Sequence, residues 1–262
     1  MLKFTIVTPS FNQGTFIQAT IESVLAQEEV ALEYLVFDGG SQDNTVAVIE
    51  RFASQLSYWE SQPDKGQTNA INKGFTRSTG DILGWLNSDD VLTPGALSQV
   101  AAAFEANPEA DVVYGDSSYM TKEGVMFRTK RARPFSIEHL RRRDFLYQPS
   151  TFFRKQVYET VGPLDERYHS CMDYEYWIRM AEAGVRFVYI ETVLSQMRFH
   201  EDAKSVNGIL LSLNEERALK LDYGYPYLQV QLNYYYKRFF DRFTWPIKRS
   251  IALFLHERGF ST

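Results

Sequence analysis

Along the first hundred residues, runs of consecutive apolar positions alternate with apolar positions spaced three or four apart. Phe4-Thr5-Ile6-Val7-Thr8 has the pattern of a short buried strand, after which Ile17, Ile21, Val24 and Leu25 recur at helical spacing. Leu32-Glu33-Tyr34-Leu35-Val36-Phe37 predicts a second strand, Val46, Ile49 and Phe52 a helix, and Ile82 to Leu86 a third, fully buried strand. Thr93 as N-cap, Pro94 at the first helical position, and Leu97, Val100, Ala101 and Phe104 behind them predict another helix. Such alternation implies a mostly parallel sheet with helices on both faces. Asp111 to Tyr119 and Val125 to Thr129, separated by Lys122-Glu123-Gly124, read instead as an antiparallel pair. Tyr176, Trp177 and Met180 mark a later helix, and Val185 to Tyr189 a later strand followed by a short segment. Beyond about residue 205 the pattern is helical and aromatic, as in "LNYYYKRFFDRF", which predicts a C-terminal appendage. There is no internal repeat and no low-complexity linker.

The polar positions become informative where the strands end. In open α/β sheets, ligands bind beyond the carboxyl ends of the strands. Phe37 runs into Asp38-Gly39-Gly40-Ser41-Gln42-Asp43-Asn44-Thr45, and Leu86 runs into Asn87-Ser88-Asp89-Asp90, so both acidic turns fall on one sheet edge. Carboxylates gathered there cost desolvation energy unless a cation joins them, and an oxygen-rich cluster without cysteine suits Mg²⁺ or Mn²⁺ holding a diphosphate. A plain turn or capping role for Asp89 and Asp90 ahead of Thr93-Pro94 is the competing reading. Asp173 sits at the N-terminal end of the helix in "HSCMDYEYWIRM", where a cap is equally natural. His200, in "MRFHEDAKS", is either a ligand or a hydrogen-bonded surface residue, and Trp85 and Trp177 either stack on a sugar or fill the core.

Composition narrows the classes. A chain of 262 residues with 44% hydrophobic content can bury one substantial core. A single cysteine, Cys171, excludes an intramolecular disulfide and a cysteine-rich zinc site and favours a reducing compartment. No apolar run approaches the roughly 20 residues that span a bilayer, and Met1-Leu2-Lys3-Phe4 enters a strand pattern at once, so neither a membrane span nor a signal peptide is expected. The cytoplasm is the expected location. A net charge of −5 argues against nucleic acid as a partner. The tail departs from that average: Lys237, Arg238, Arg242, Lys248, Arg249 and Arg258 outnumber Asp241 and Glu257 and interleave with Tyr234, Tyr235, Tyr236, Phe239, Phe240, Phe243 and Trp245. Contact with an anionic membrane face, or packing on the catalytic domain or on a second subunit, would each suit that pattern.

Taken in order, "VTPSFNQGTFIQATIESVLAQ", "EYLVFDGGSQDNT", "SQPDKGQTNAINKGF", "TGDILGWLNSDDVLTPGAL", "HSCMDYEYWIRM" and "MRFH" resemble family 2 glycosyltransferases of the GT-A fold, particularly bacterial enzymes of O-antigen and other surface polysaccharides. The resemblance runs from about residue 3 to 205. It implies a Rossmann-like, mostly parallel central sheet flanked by helices, with a small antiparallel portion, as a catalytic domain over 1–205, and a helical extension over 206–262. By the same resemblance Thr8, Pro9 and Phe11 border the base and ribose, and Asp38 hydrogen-bonds the base. Asp64, Lys65 and Gly66 form a loop covering the nucleotide. Asn87-Ser88-Asp89 stands for the family's Asp-x-Asp motif, with Asn87 replacing the first Asp. Ser88 then borders the nucleotide, Asp89 binds the metal, Asp90 compensates for Asn87, and His200 is a further metal position. Asp173 matches the general base.

The expected activity is therefore inverting, Mn²⁺- or Mg²⁺-dependent transfer from a nucleotide sugar, a UDP sugar by family resemblance, to a saccharide or lipid-linked saccharide, with a homo-oligomer an open possibility. Two other classes compete. A nucleotidyltransferase of similar architecture would want a Gly-rich, Arg-containing phosphate loop after the first strand, whereas "TPSFNQGT" has one Gly and no basic residue. A catalytically silent nucleotide-sugar or carbohydrate-binding protein would bind the donor without releasing the nucleoside diphosphate.

Overall fold

The computed structural model describes residues 1–200 and 209–239. The chain starts as four β/α units: β1 (Lys3–Ser10), α1 (Ile17–Leu25), β2 (Ala31–Asp38), α2 (Thr45–Phe52), β3 (Tyr58–Ser61), α3 (Gln67–Arg77), β4 (Ile82–Trp85), the two-residue β5 (Val91–Leu92) and α4 (Ala96–Ala106). It continues as β6 (Val112–Met120), β7 (Met126–Lys130), α5 (Ile137–Arg142), a 3₁₀ turn (Gln148–Ser150), β8 (Thr151–Arg154), α6 (Lys155–Val161), α7 (Met172–Glu182), β9 (Phe187–Arg198) and α8 (Ile209–Asp222). Residues 227–239, here α9, are also helical.

One sheet runs β3-β2-β1-β4-β8-β6-β9-β5, with β7 hydrogen-bonded to β6 outside that path. β3, β2, β1 and β4 are parallel, as the alternation predicted. The antiparallel content exceeds the predicted β6–β7 pair, because β8 joins β4 to β6 antiparallel to both and β5 runs antiparallel to β9. β8 and β3 are four residues long and carry no readable alternation of their own. β9 is one strand of 12 residues, not a strand and a separate segment: Thr192, Ser195 and Gln196 break its apolar pattern while it pairs along the length of β6.

The strands of the parallel half read as near-continuous apolar runs because both faces are covered. Phe4, Ile6, Tyr34, Val36 and Ile82 face α1, α2 and α4 through Ile21, Ile49, Leu97, Val100 and Phe104. Val7, Leu35, Phe37, Leu83 and Trp85 face the other side, where Ile71, Phe75, Tyr176, Trp177 and Leu219 pack. α3 lies close on β1 at Gly74, where a Cβ would come within 2.5 Å of the Val7 side chain, so only glycine admits this approach. Thr93 does not cap α4. Its hydroxyl donates to the Val193 carbonyl at 2.7 Å, tying the loop to β9, and the helix begins later, at Ala96 behind left-handed Gly95.

Candidate functional site

The register of the parallel strands sets the site. Ser10 lies beside Asp38 and Asp38 beside Ser61, while Leu86 N–H donates to the Val7 carbonyl at 2.9 Å, so β1, β2, β3 and β4 all deliver their following loops to one edge. On this edge Asp38 is buried, with Oδ2 accepting from Gly40 N–H (3.1 Å), Ser41 N–H (2.8 Å) and Ser61 Oγ (2.6 Å) and Oδ1 from Ser41 Oγ (2.5 Å). Four donors converging on one carboxylate build the 39–41 turn. Asp64 closes over the same turn, near enough that a Cβ on Gly39 would meet its Oδ1 at 3.2 Å, and it accepts from Gly66 N–H at 2.7 Å. Gly66, with φ of 104°, occupies backbone territory closed to ordinary side chains and launches α3. Thr8 is buried with its hydroxyl against the Tyr34 phenol at 3.0 Å, Pro9 is buried, Phe11 is 58% exposed above them, and Lys65 is exposed at the loop tip.

The acidic turn after β4 is organised by β9. Asp90 turns inward: its Oδ1 accepts the Arg198 N–H at 2.9 Å, Asn87 Nδ2 lies 3.4 Å from its Oδ2, and its carbonyl accepts from Thr20 Oγ1 at 2.7 Å. Burial, and then the Asp89 charge, push its carboxyl well above the usual carboxylate range. Asp89 is left partly exposed, its Oδ2 3.0 Å from His200 Nε2. The His200 ring lies against Phe16 with centroids 4.6 Å apart. Arg198 locks the assembly, donating from Nε to the Asp89 carbonyl (2.9 Å) and from Nη1 to the Thr121 (3.3 Å) and Lys122 (2.8 Å) carbonyls. Asn87 Oδ1 accepts from Gln67 Nε2 at 2.6 Å, tying the turn to α3, and Ser88 is buried between them.

The donor set that faces a prospective metal is therefore Asp89 Oδ2 and His200 Nε2; among the described residues no group of three His, Cys, Asp or Glu side chains converges. One carboxylate and one imidazole fit a hard divalent ion that takes its remaining ligands from phosphate oxygens and water. Asp90 is drawn toward β9 instead of joining that pair, because the Arg198 backbone claims its oxygen.

Asp173 stands in the first turn of α7, two residues after the N-cap Cys171, where the helix dipole favours a negative charge. The loop entering α7 is held from α8: the Glu215 carboxylate accepts from the N–H groups of His169 (3.0 Å), Ser170 (2.6 Å) and Cys171 (3.0 Å). Asp144, on the loop after α5, lies within electrostatic reach of Asp173; burial and then the Asp173 charge raise its carboxyl well above the usual range. Burial and Asp173 push the Cys171 thiol up to about 12, so it stays protonated. Glu175, the carboxylate nearest Asp173 in sequence, is buried in a two-point pair with Arg179 at 2.9 Å and accepts from the Tyr223 hydroxyl. Trp85 and Trp177 stack on each other in the core, centroids 5.5 Å apart, and neither offers a sugar platform.

Three contributors escaped the sequence reading. Arg198 is visible only as the basic residue of "MRFH", Asp144 is masked by three preceding arginines, and Glu215 lies in a helix whose apolar periodicity is weak. Each acts through a partner distant in sequence.

A family model described as Glycosyl transferase family 2 matches residues 5–161. The chain is 27% identical over 241 residues to a glycosyltransferase of Mycobacterium tuberculosis described as uncharacterized, covering 89% of each. It is 29% identical over 180 residues to a PGL/p-HBAD biosynthesis glycosyltransferase of Mycobacterium bovis, covering 67% of this chain and 68% of that one. Among solved structures, S. aureus TarS aligns over 87% of this chain with a TM-score of 0.65 and 15% identity, this chain spanning 41% of it. The TarS 1-349 complex with UDP-GlcNAc aligns with a TM-score of 0.67 at 14% identity, over 87% of this chain and 69% of that one. The mannosyltransferase PcManGT from Pyrobaculum calidifontis, in complex with GDP-Man and Mn²⁺, aligns with a TM-score of 0.66 at 17% identity, over 88% of this chain and 69% of that one.

Proposed function

The chain belongs to glycosyl transferase family 2 and is a glycosyltransferase of the GT-A fold, and on that premise we propose that it moves a sugar from a UDP sugar to a hydroxyl of a saccharide or lipid-linked saccharide, with inversion. The observation that carries the reading is the pairing of Asp89 with His200 at 3.0 Å on the sheet edge where the strand-end loops converge. Asp89 and His200 would hold a divalent ion, Mn²⁺ or Mg²⁺, which when bound supplies Lewis-acid stabilisation to the departing diphosphate. PcManGT was solved with Mn²⁺ and GDP-Man, and TarS with UDP-GlcNAc, which supports a metal and a nucleoside diphosphate sugar here.

The chain's own residues supply the rest. Asp38 and Asp64 shape the turn that receives the nucleotide, with Thr8, Pro9, Phe11, Lys65, Gly66 and Ser88 around it. Asp173 accepts the proton of the acceptor hydroxyl as its oxygen bonds to the anomeric carbon, and the bond to the diphosphate breaks with the electron pair leaving on the phosphate oxygen. A single displacement inverts the anomeric centre and requires one base, not the paired carboxylates of a retaining glycosidase. Calorimetry with UDP and Mn²⁺ tests the reading: the wild type binds, and Asp89→Ala loses metal-dependent binding with an unchanged melt. Equal UDP affinity in the two proteins, with about 1 kcal/mol lost from stability, would instead make Asp89 a turn residue.

We place the acceptor at a membrane surface met peripherally, inside the cell. No helix among the described residues is long and apolar enough to cross a membrane. α9 turns Leu228, Leu232 and Tyr235 outward, whereas Tyr234 packs inward with its hydroxyl donating to Asn214 Oδ1 at 2.8 Å. The remaining aromatic and basic tail positions, from Phe240 to Arg258, lie outside the described residues. Flotation with anionic liposomes reads this directly: removing residues 231–262 should abolish co-flotation, and equal flotation of both proteins refutes it.

A further inference from the structure

A second charged region, on β7 and the loop after α5, is positive. Arg128 and Lys130 are on β7, and Arg143 follows α5. Their neighbours in sequence are paired, Arg131 with Glu191 at 3.0 Å and Arg141 with Glu182 at 2.6 Å. Among the described residues Arg128, Lys130 and Arg143 have no carboxylate within salt-bridge distance; their mutual electrostatics are repulsive, and Lys130 is driven below its ordinary value first by burial and then by Arg128 and Arg143. Three like charges with no counter-ion among the described residues repel one another, and a ligand anion would relieve that repulsion.

The cluster is built, not loose. The Tyr119 ring stacks on Phe127, centroids 6.0 Å apart, and the Lys130 ammonium lies 5.3 Å from its centroid. The chain leaving β7 is pinned to the sheet where the Tyr147 hydroxyl donates to the Arg131 carbonyl at 3.3 Å, Ala132 N–H to Asp116 Oδ1 at 2.8 Å, and the Tyr114 hydroxyl to the Arg133 carbonyl at 2.6 Å. The β6–β7 register sets Arg128 beside Tyr119 and Lys130 beside Ser117, and the Tyr119 phenol feels Arg128, Arg143 and Asp90 while the Tyr147 phenol feels Arg143 and Asp144. Tyr119 and Tyr147 thus lie within electrostatic reach of these cations and of Asp90 and Asp144 respectively.

We propose that Arg128, Lys130 and Arg143, backed by Tyr119 and Tyr147, form a binding site for the phosphate or diphosphate of a phosphorylated acceptor. The inference rests on the transferase reading, which assigns the donor diphosphate to Asp89 and His200 and so leaves this cluster to the other substrate. Guanidinium groups match phosphate oxygens two at a time and the ammonium adds a compact charge, so three cations suit a di- or trianion better than a single carboxylate.

Inorganic pyrophosphate in EDTA is the probe, because removing the metal silences the donor-side site. The wild type binds it, and Lys130→Met and Arg143→Gln each weaken binding about tenfold, the size expected for losing a hydrogen bond to a charged group. Both variants melt no lower than the wild type, since each removes a like-charge repulsion, and bind UDP with Mn²⁺ within about twofold of wild type, since the donor site is untouched. No pyrophosphate binding by the wild type, or equal binding by the variants, overturns the site. A parallel fall in UDP affinity would hand the cluster to the donor diphosphate and overturn the acceptor assignment. Failure of the wild type to bind UDP at all would fault the donor-side reading alone, leaving the pyrophosphate comparison readable.

Discussion

Asp173 and Asp89 are each one residue whose alternative is a plain structural role, and substitution separates the two. Asp173→Asn keeps the shape of the side chain and its ability to serve the first turn of α7, where Asp173 Oδ1 accepts the Tyr174 N–H at 2.8 Å, but it cannot take a proton. Loss of a general base lowers the rate by about 10²–10⁴-fold, so this variant should bind UDP with near-native affinity and show kcat reduced by that factor. More than about a tenth of wild-type kcat would move the role elsewhere. Glu175 is a poor substitute, being committed to Arg179 and Tyr223, and Asp144 is the carboxyl to test next. The residue types at strand ends were legible in the sequence because Asp-Gly-Gly and Asn-Ser-Asp-Asp interrupt apolar runs. Which of two adjacent carboxylates stays partly exposed was not, since that depends on the Arg198 N–H reaching Asp90 from 108 positions away.

At the scale of elements, α8 serves α7. Glu215 gathers three backbone donors at the entrance of α7, so its charge fixes where that helix begins and hence where Asp173 projects. Glu215→Ala leaves those N–H groups to water and should cost about 1–3 kcal/mol of stability, with kcat falling while UDP affinity holds. Glu215→Gln retains an accepting oxygen and should recover part of kcat; if both variants kept full kcat, α8 would be packing alone. The parallel β/α units were readable because strand and helix periods differ, and α1, β2, α2 and β4 sit where the apolar spacing put them. α3 was not readable as a helix: "QTNAINKGFTR" carries few apolar residues, and its seat on β1 depends on Gly74 meeting Val7. β8 was invisible for a related reason, a four-residue strand whose identity comes from the edges of β4 and β6 it fills.

Across the whole molecule, the described C-terminal helices are fastened to the α/β body by charges as well as by Leu219 in the core. Glu216 on α8 is the hub: Lys220 from the same helix and Lys237 from α9 each approach to 2.7 Å, and Lys220 Nζ also donates to the Arg142 carbonyl at 3.1 Å. Burial works to raise the Glu216 carboxyl, but Lys237 and Lys220 prevail and hold it below its ordinary value of 4.5. A carboxyl depressed on folding contributes stability that is fully present above its unfolded value and disappears as the pH falls through its folded value, because the unfolded chain then binds the extra proton first. The fastening should therefore weaken in acid, below the ordinary glutamate range, and be insensitive to pH between 6 and 8 as far as Glu216 is concerned. Glu216→Gln separates this group from the many other carboxylates that titrate with it. At neutral pH the variant strands buried Lys220 without its counter-charge and should lose roughly 2–4 kcal/mol. As the pH drops below 4.5, Glu216 of the unfolded wild-type chain binds its proton first, so the gap between the two melting temperatures should begin to narrow there and close as the pH passes through the lower folded value. Paired thermal melts of wild type and Glu216→Gln from pH 7 to pH 3.5 measure that gap. A gap that stays constant across the series would mean that the helices are held by apolar packing, with the Lys220–Glu216–Lys237 bridge contributing nothing.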